Sequence, residues 1–246
     1  MPEAPTWTEV AAARGDALLV VPVGSYEQHG PHLPLDTDTQ VAVALAASLS
    51  ARADVVVAPA IAYGASGEHA GFPGTLSVGH DVLADLLVEI VRSARGAFRG
   101  VVFVSGHGGN AEALTRATKR ARVEGDPVLW WAPRVVGGDA HAGRTETALL
   151  LAIDPGQVRR DRVEPGRPDD LSKLLAALRR DGVGAVSPNG ILGDPTGATA
   201  AEGERLLSVL GDDLAAAVQQ FSEELAERSA TAVIPGEPPP VARAVP

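Results

Sequence analysis

Four short runs rich in Val and Leu, at residues 17–23, 54–58, 101–105 and 128–132, alternate with longer Ala-rich segments of helical periodicity. This alternation limits the fold more than any other feature. Runs this short suit strands buried on both faces, and the segments between them suit helices laid over the sheet. Helices are expected at residues 38–50, 80–95 and 111–123, the last capped by Asn110. The expected architecture is α/β, a mostly parallel sheet covered by helices on both sides. Beyond residue 134 the pattern loosens. Helices are expected at 145–153, 169–180 and 201–226, with a Gly- and Pro-containing stretch at 183–199. Residues 1–228 read as one domain without internal repeats. Residues 229–246, with Pro235, Pro238, Pro239 and Pro240, read as a mobile tail.

Composition removes several function classes. The chain has no cysteine, which excludes disulfides and thiolate metal sites, so any metal must be held by His, Asp and Glu. A net charge of −10 argues against nucleic acid or an anionic membrane as partner. The apolar runs are strand-length, too short to span a bilayer. Residues 1–14 lack the basic and apolar pattern of a signal peptide, so the cytoplasm is the expected location.

In open α/β sheets, ligands gather where the strands end. The loops expected there, residues 24–36, 60–79, 106–109 and 133–143, contain His29, His32, His69, His107 and His141. The sixth histidine, His80, directly follows the second loop. In an extended segment, Glu27 and His29 project to one side and Gln28 faces away. An imidazole beside a carboxylate suits zinc, manganese or iron, although the two side chains can also simply pair with each other. Asp36 and Asp38 open the next helix, where either one turns back to the same point or serves as a cap.

The turn Gly106-His107-Gly108-Gly109-Asn110 lacks both the dinucleotide and the P-loop patterns. Its glycines instead let backbone pass close to a ligand while His107 points into the cleft. His141 and Glu146 flank Gly143 and a helix start, so both can face one cavity; alternatively Glu146 serves the first turn of its helix. Together Glu27, His29, Asp38, His107 and Glu146 are a two-imidazole, three-carboxylate set suited to two divalent ions bridged by one carboxylate. His141 is then free to shuttle a proton to a leaving nitrogen. Thr75, Gly108, Asp139 and Arg144 are candidate substrate contacts, with a surface salt bridge as the alternative for Arg144. Glu68 and His69 read as outer partners of the site, substrate contacts or an exposed pair. His32 is expected to orient the first loop, and His80 to cap a helix.

These stretches, in this order, resemble the creatininase (creatinine amidohydrolase) family. The resemblance is carried by Gly24-Ser25-Tyr26-Glu27-Gln28-His29-Gly30-Pro31-His32-Leu33-Pro34, Thr37-Asp38, Gly106-His107-Gly108-Gly109-Asn110, His141-Ala142-Gly143 and Glu146-Thr147. It implies a three-layer α/β/α sandwich, two divalent ions per subunit (zinc, iron or manganese), and a homo-oligomer of six or more chains. It also implies hydrolysis of amide bonds outside ordinary protein substrates. By the resemblance, Glu27 and His107 bind one ion, His29 the other, and Asp38 bridges them. Creatininase has a glutamate where this chain has Gly109, and Glu146 is the candidate replacement. The stretches 136–147 and 187–195 look most like the branch that serves mycofactocin biosynthesis by trimming a modified precursor peptide at a Gly–Val bond near its C-terminus. A hydrolase of a small cyclic or linear amide, of the creatinine or formamidopyrimidine type, is the alternative. A non-enzymatic metal-binding module is the second.

Overall fold

Residues 18–23 read Leu-Leu-Val-Val-Pro-Val, and this stretch forms the central strand β1 (Leu18–Val23) of the computed structural model. The structure describes residues 5–12, 15–51, 54–169 and 171–232. A short helix α1 (Trp7–Ala12) precedes β1, and α2 (Thr37–Ala47) follows it. Next come β2 (Val55–Val57), α3 (Gly79–Ala94), β3 (Gly100–Ser105), α4 (Ala111–Val123) and β4 (Val128–Trp131). The second half is helical: α5 (Arg144–Ile153), α6 (Leu171–Asp181), α7 (Val183–Val186) and α8 (Ala200–Ala232).

All strand pairs are parallel, in the order β2-β1-β3-β4. Side chains of β1 and β3 alternate between two cores, as the pleat requires. Val20, Val102 and Val104 pack with Leu45 of α2, Leu150 of α5 and Leu214 of α8. Val21, Val23 and Phe103 pack with Leu83 and Leu87 of α3 and Leu114 of α4. The result is the expected three-layer sandwich. Pro22 is tolerated in this central strand because β2 has ended beside it. Its carbonyl still accepts from Ile61 N at 2.9 Å.

Strand order positions the site. The chain leaves β1 for β2 on one side, then crosses to β3 on the other, so the direction of winding reverses between β1 and β3. A crevice opens at the carboxyl ends of two strands related in this way. The register sets Val23 opposite Ser105, so the loops beginning at Gly24 and Gly106 leave the sheet side by side.

Two expectations need correction. Asn110 makes no side-chain cap to α4; its amide accepts from Ala65 N and donates to Gly24 O, both at 2.9 Å, tying three loops together. Helix α8 runs to Ala232, so residues 229–232 belong to it and not to the tail. Its apolar stripe, Leu210, Leu214, Val218, Phe221 and Leu225, explains the length, because each turn buries a side chain against the first core. The rest of the expected tail, 233–246, lies outside the described residues. Among the described residues, no helix is long and apolar enough to cross a membrane.

Candidate metal centre

The first turn of α2 carries Asp38 into the crevice because glycine lets it approach. A Cβ on Gly106 would stand 2.1 Å from Asp38 O, so only glycine allows this contact. Asp38 then lies between two imidazoles. Its Oδ1 is 3.1 Å from His29 Nε2, and its Oδ2 is 3.1 Å from His107 Nδ1. Ser25 Oγ donates to Oδ2 at 2.7 Å and fixes the carboxylate plane.

Glu27, Asp38 and His107 form one group of convergent donors, and His29, Asp38 and Glu146 form a second. Asp38 belongs to both. In the first, His107 Nε2 is 3.1 Å from Glu27 Oε2. In the second, His29 Nε2 is 3.9 Å from Glu146 Oε2. His141 converges with Glu27 and His29, its Nδ1 lying 3.7 Å from Glu27 Oε1. The expected ligand set is therefore brought together, and Glu146 stands on the His29 side.

The buried carboxylates of this cluster demand positive charge. Burial pushes Glu27 up to about 7 against the pull of His107. Glu146 is likewise raised by burial to about 7, against the pull of His29. Burial would also lower His29 and His107, but the neighbouring carboxylates hold both up to about 10. Asp38 stays well below the usual carboxylate range because His29 and His107 outweigh its burial. Both oxygens of Glu27 are buried and accept no hydrogen bond. An ionised carboxylate left this way costs several kcal/mol, of order 3 or more. A cation among nitrogen and oxygen donors removes that cost, so these residues fit divalent ions.

Two residues read weakly from sequence lie at the centre. His69 is buried on the 3₁₀ turn Gly67–His69, with Nε2 3.4 Å from Glu27 Oε1. Gln28 does not face away: its Nε2 donates to Gly190 O at 3.0 Å and to His69 Nδ1 at 2.9 Å. The alternation argument failed there because the strand ends at Val23, and the chain then turns through a bridge between His29 and Leu33. Gln28 O accepts from His141 Nε2 at 2.8 Å, leaving His141 Nδ1 toward the carboxylates. Burial lowers His69 to about 3 and takes His141 well below its ordinary value, with neighbouring imidazoles adding to both shifts. The stretch 187–195 earns its place here, because Leu192 and His141 form a two-stranded bridge that holds the His141 backbone. Next to it, Ala142 adopts φ 50° and donates its N–H to Glu146 at 2.5 Å. Left-handed backbone at a non-glycine residue is strained, and such strain gathers at functional sites.

The remaining candidates are placed as follows. His32 orients the first loop through Thr147 Oγ1 at 2.8 Å. His80 does not cap α3; it lies within the helix, its Nε2 3.2 Å from Gly109 O. Thr75 Oγ1 accepts from Gln28 N at 3.1 Å. Asp139 accepts from Arg144 N and from Thr145 N at the start of α5. Arg144 pairs with Glu202 at 2.8 Å, the surface alternative. Gly108 is exposed, with open space where a side chain would stand. The side chains of Asp139 and Arg144 are thus engaged outside the cluster.

A parallel sheet with a carboxylate and imidazole cluster at its switch point defines a class, and comparison with known proteins agrees. The family described as creatinine amidohydrolase matches residues 3–218, and the chain belongs to this creatininase family. Within it, the chain is 52% identical over 205 residues to the mycofactocin precursor peptide peptidase of Mycobacterium tuberculosis (strain ATCC 25618 / H37Rv), covering 79% of this chain and 82% of that one. The protein of the same name from Mycolicibacterium smegmatis (strain ATCC 700084 / mc(2)155) is 50% identical over 213 residues, covering 84% and 86%. A solved structure of creatininase with Mn superposes with a TM-score of 0.71 at 27% identity, covering 88% of this chain and 96% of that one.

Proposed function

We propose that this chain is a metal-dependent peptidase that hydrolyses the modified mycofactocin precursor peptide at its Gly–Val bond, near the C-terminus, and releases the Val-Tyr-derived dipeptide. One observation carries the reaction class: two donor groups share the single carboxylate Asp38, one oxygen toward each imidazole. The relatives that are 50% identical or more support the substrate.

Glu27, Asp38 and His107 would hold one ion, and His29, Asp38 and Glu146 the other, each zinc, iron or manganese. Two such ions supply Lewis acidity toward a water and the scissile carbonyl. His141 handles the proton. Its Nε2–H is committed to Gln28 O, so Nδ1 is the atom that accepts. Burial depresses the basicity of His141, so a proton taken there passes readily to a more basic leaving amine. Gln28 orders both His69 and His141 and keeps this tautomer in place. Gly108 and Val136-Gly137-Gly138, in the loops before Asn110 and His141, are exposed, and small exposed residues there would suit an extended peptide better than a closed pocket. Exposed apolar side chains at Tyr63, Leu76, Val82 and Leu86 support a homo-oligomer.

The test is mass spectrometry of the metal-loaded protein incubated with the modified precursor peptide. Release of the terminal dipeptide, abolished by a chelator, is the expected result. An intact peptide with ions confirmed in the protein would overturn the substrate and point to a small amide instead.

A further inference from the structure

Backbone groups fix the orientation of the Gln28 carboxamide. Its Oε1 accepts from Gly30 N at 2.9 Å, and its Nε2 donates to Gly190 O at 3.0 Å. Each of those partners can play only one role, so the oxygen and the nitrogen cannot exchange places. Gly190 is required for this contact, because its φ is +80° and a Cβ there would stand 1.9 Å from Gln28 Oε1. One N–H of Gln28 Nε2 remains, and His69 Nδ1 is 2.9 Å away. His141 Nε2 lies 3.0 Å from the same nitrogen but is itself a donor, to Gln28 O.

His69 Nδ1 is therefore an acceptor, and a neutral ring that accepts there carries its proton on Nε2. A doubly protonated ring would set N–H against N–H. The ring is buried and packs on that of His141, centroids 4.4 Å apart, which limits how far it can turn. Its Nε2 faces Glu27 Oε1 at 3.4 Å, nearer than His141 Nδ1 at 3.7 Å. That carboxylate oxygen is buried and accepts no hydrogen bond. A shift of a few tenths of an ångström would bring the pair within the usual range of about 2.7–3.2 Å. Among the described residues, His69 belongs to none of the convergent donor groups, so its place is beside a ligand and not on an ion.

We propose that His69 is a positioning residue for Glu27: Gln28 holds the ring in the tautomer whose Nε2–H is directed at Glu27 Oε1. This rests on the metal-centre reading above. Glu27 and Gln28 are adjacent in sequence yet act on the cluster by different routes, one as a ligand and the other through His69. The donor offsets part of the cost of burying the carboxylate and sets which way it turns, so the ligand is ordered before an ion arrives. Outer hydrogen-bond partners of this kind commonly tune metal affinity about 10- to 100-fold.

The test uses the full-length chain, labelled with ¹⁵N in histidine and stripped by chelator. The His69 ring signals, identified by their loss in His69→Gln, should show a protonated Nε2 and a bare Nδ1 near neutral pH. Zn²⁺ alone is then returned, ions are counted by mass spectrometry, and affinities are measured against a chromogenic chelator. His69→Asn keeps a polar atom near Nδ1 and has none at Nε2, whereas His69→Gln places its amide nitrogen near the Nε2 position. His69→Asn should weaken one of the Zn²⁺ ions at least about tenfold, and His69→Gln should recover most of that loss. An Nδ1–H tautomer would overturn the proposal, as would equal Zn²⁺ affinities in the two variants. Metal-free unfolding midpoints that fall alike in both, with no difference in affinity, would mark a packing role and overturn it too. Failure of the wild-type chain to take up Zn²⁺ would instead overturn the metal-centre reading, leaving the tautomer to decide the pairing of His69 with Glu27.

Discussion

Two clusters of carboxylates stand at opposite ends of the sheet and handle charge in opposite ways. Where α3 and α4 end, Arg92 and Arg95 clasp Glu124, and Arg95 also holds Asp126 at 2.6 Å. Each acid there has a guanidinium partner, and Arg92 holds Glu124 down to about 2. At the other end, among the described residues, the ion-pair partners of Glu27, Asp38 and Glu146 are imidazoles and not guanidiniums, and Glu27 accepts no hydrogen bond. Burial there raises Glu27 to about 7, whereas Arg92 and Arg95 keep Glu124 acidic. The surface pairs satisfy themselves and so contribute little to stability. The buried cluster does not, and the two apolar cores on either face of the sheet must offset its cost. Unsatisfied buried charge maintained by the rest of the fold is a mark of a functional site.

Breaking the buried cluster should have the largest effect. Asp38→Ala removes the carboxylate common to both donor groups. Peptide hydrolysis should fall at least about 10³-fold, the upper range for losing a single oxyanion donor, and metal content should drop for both ions. Metal analysis and product assay of the same preparation check this. Retention of two ions would show that Asp38 is not shared.

An intermediate effect is expected just outside the cluster. His32 donates through Nε2 to Thr147, while its Nδ1 is buried without a partner, so protonation has no acceptor. Burial, with the charge of His29, lowers it to about 4 from 6.5. A histidine with a lowered folded pKa binds its proton more readily when unfolded. Stability should therefore decline as pH falls from 6.5 toward 4, and level off below that. The loss assigned to His32 is about 2 kcal/mol after allowance for solvent screening. Denaturant melts should show a shallower pH slope across this window for His32→Gln than for the wild type; equal slopes would contradict it.

The smallest effect belongs to the surface cluster. Arg95→Ala should leave the unfolding midpoint and the hydrolysis rate unchanged within error, in low and high salt alike. A clear drop would mean that the two ends of the sheet are coupled, and the comparison would fail.

Much of this molecule is legible from local pattern. The strands and most helices fall within a few residues of their expected positions, because burial on both faces writes continuous Val and Leu runs and helical packing writes a spaced apolar stripe. Glu27, His29, Asp38, His107 and Glu146 stand out because ionisable residues in the loops and helix starts that follow such runs have no packing purpose. Gln28 and His69 do not stand out. Gln28 sits in a stretch that looks extended but turns, and His69 lies in a long loop with no regular pattern. Asn110 has the look of a cap, and only the neighbouring loops reveal it as a tie between Gly24 and Ala65.

The sequence by itself determined the class of fold, the absence of thiol chemistry and the inventory of donors, since each depends on residue type and short-range spacing. Tertiary structure alone decided which donors share a group, that Asp38 offers one oxygen to each imidazole, and that Gln28 reaches His69 and Gly190 at once. The physical reason is the reversal of strand order between β1 and β3. It brings loops from distant parts of the chain to one point, and no local pattern in the sequence records that meeting.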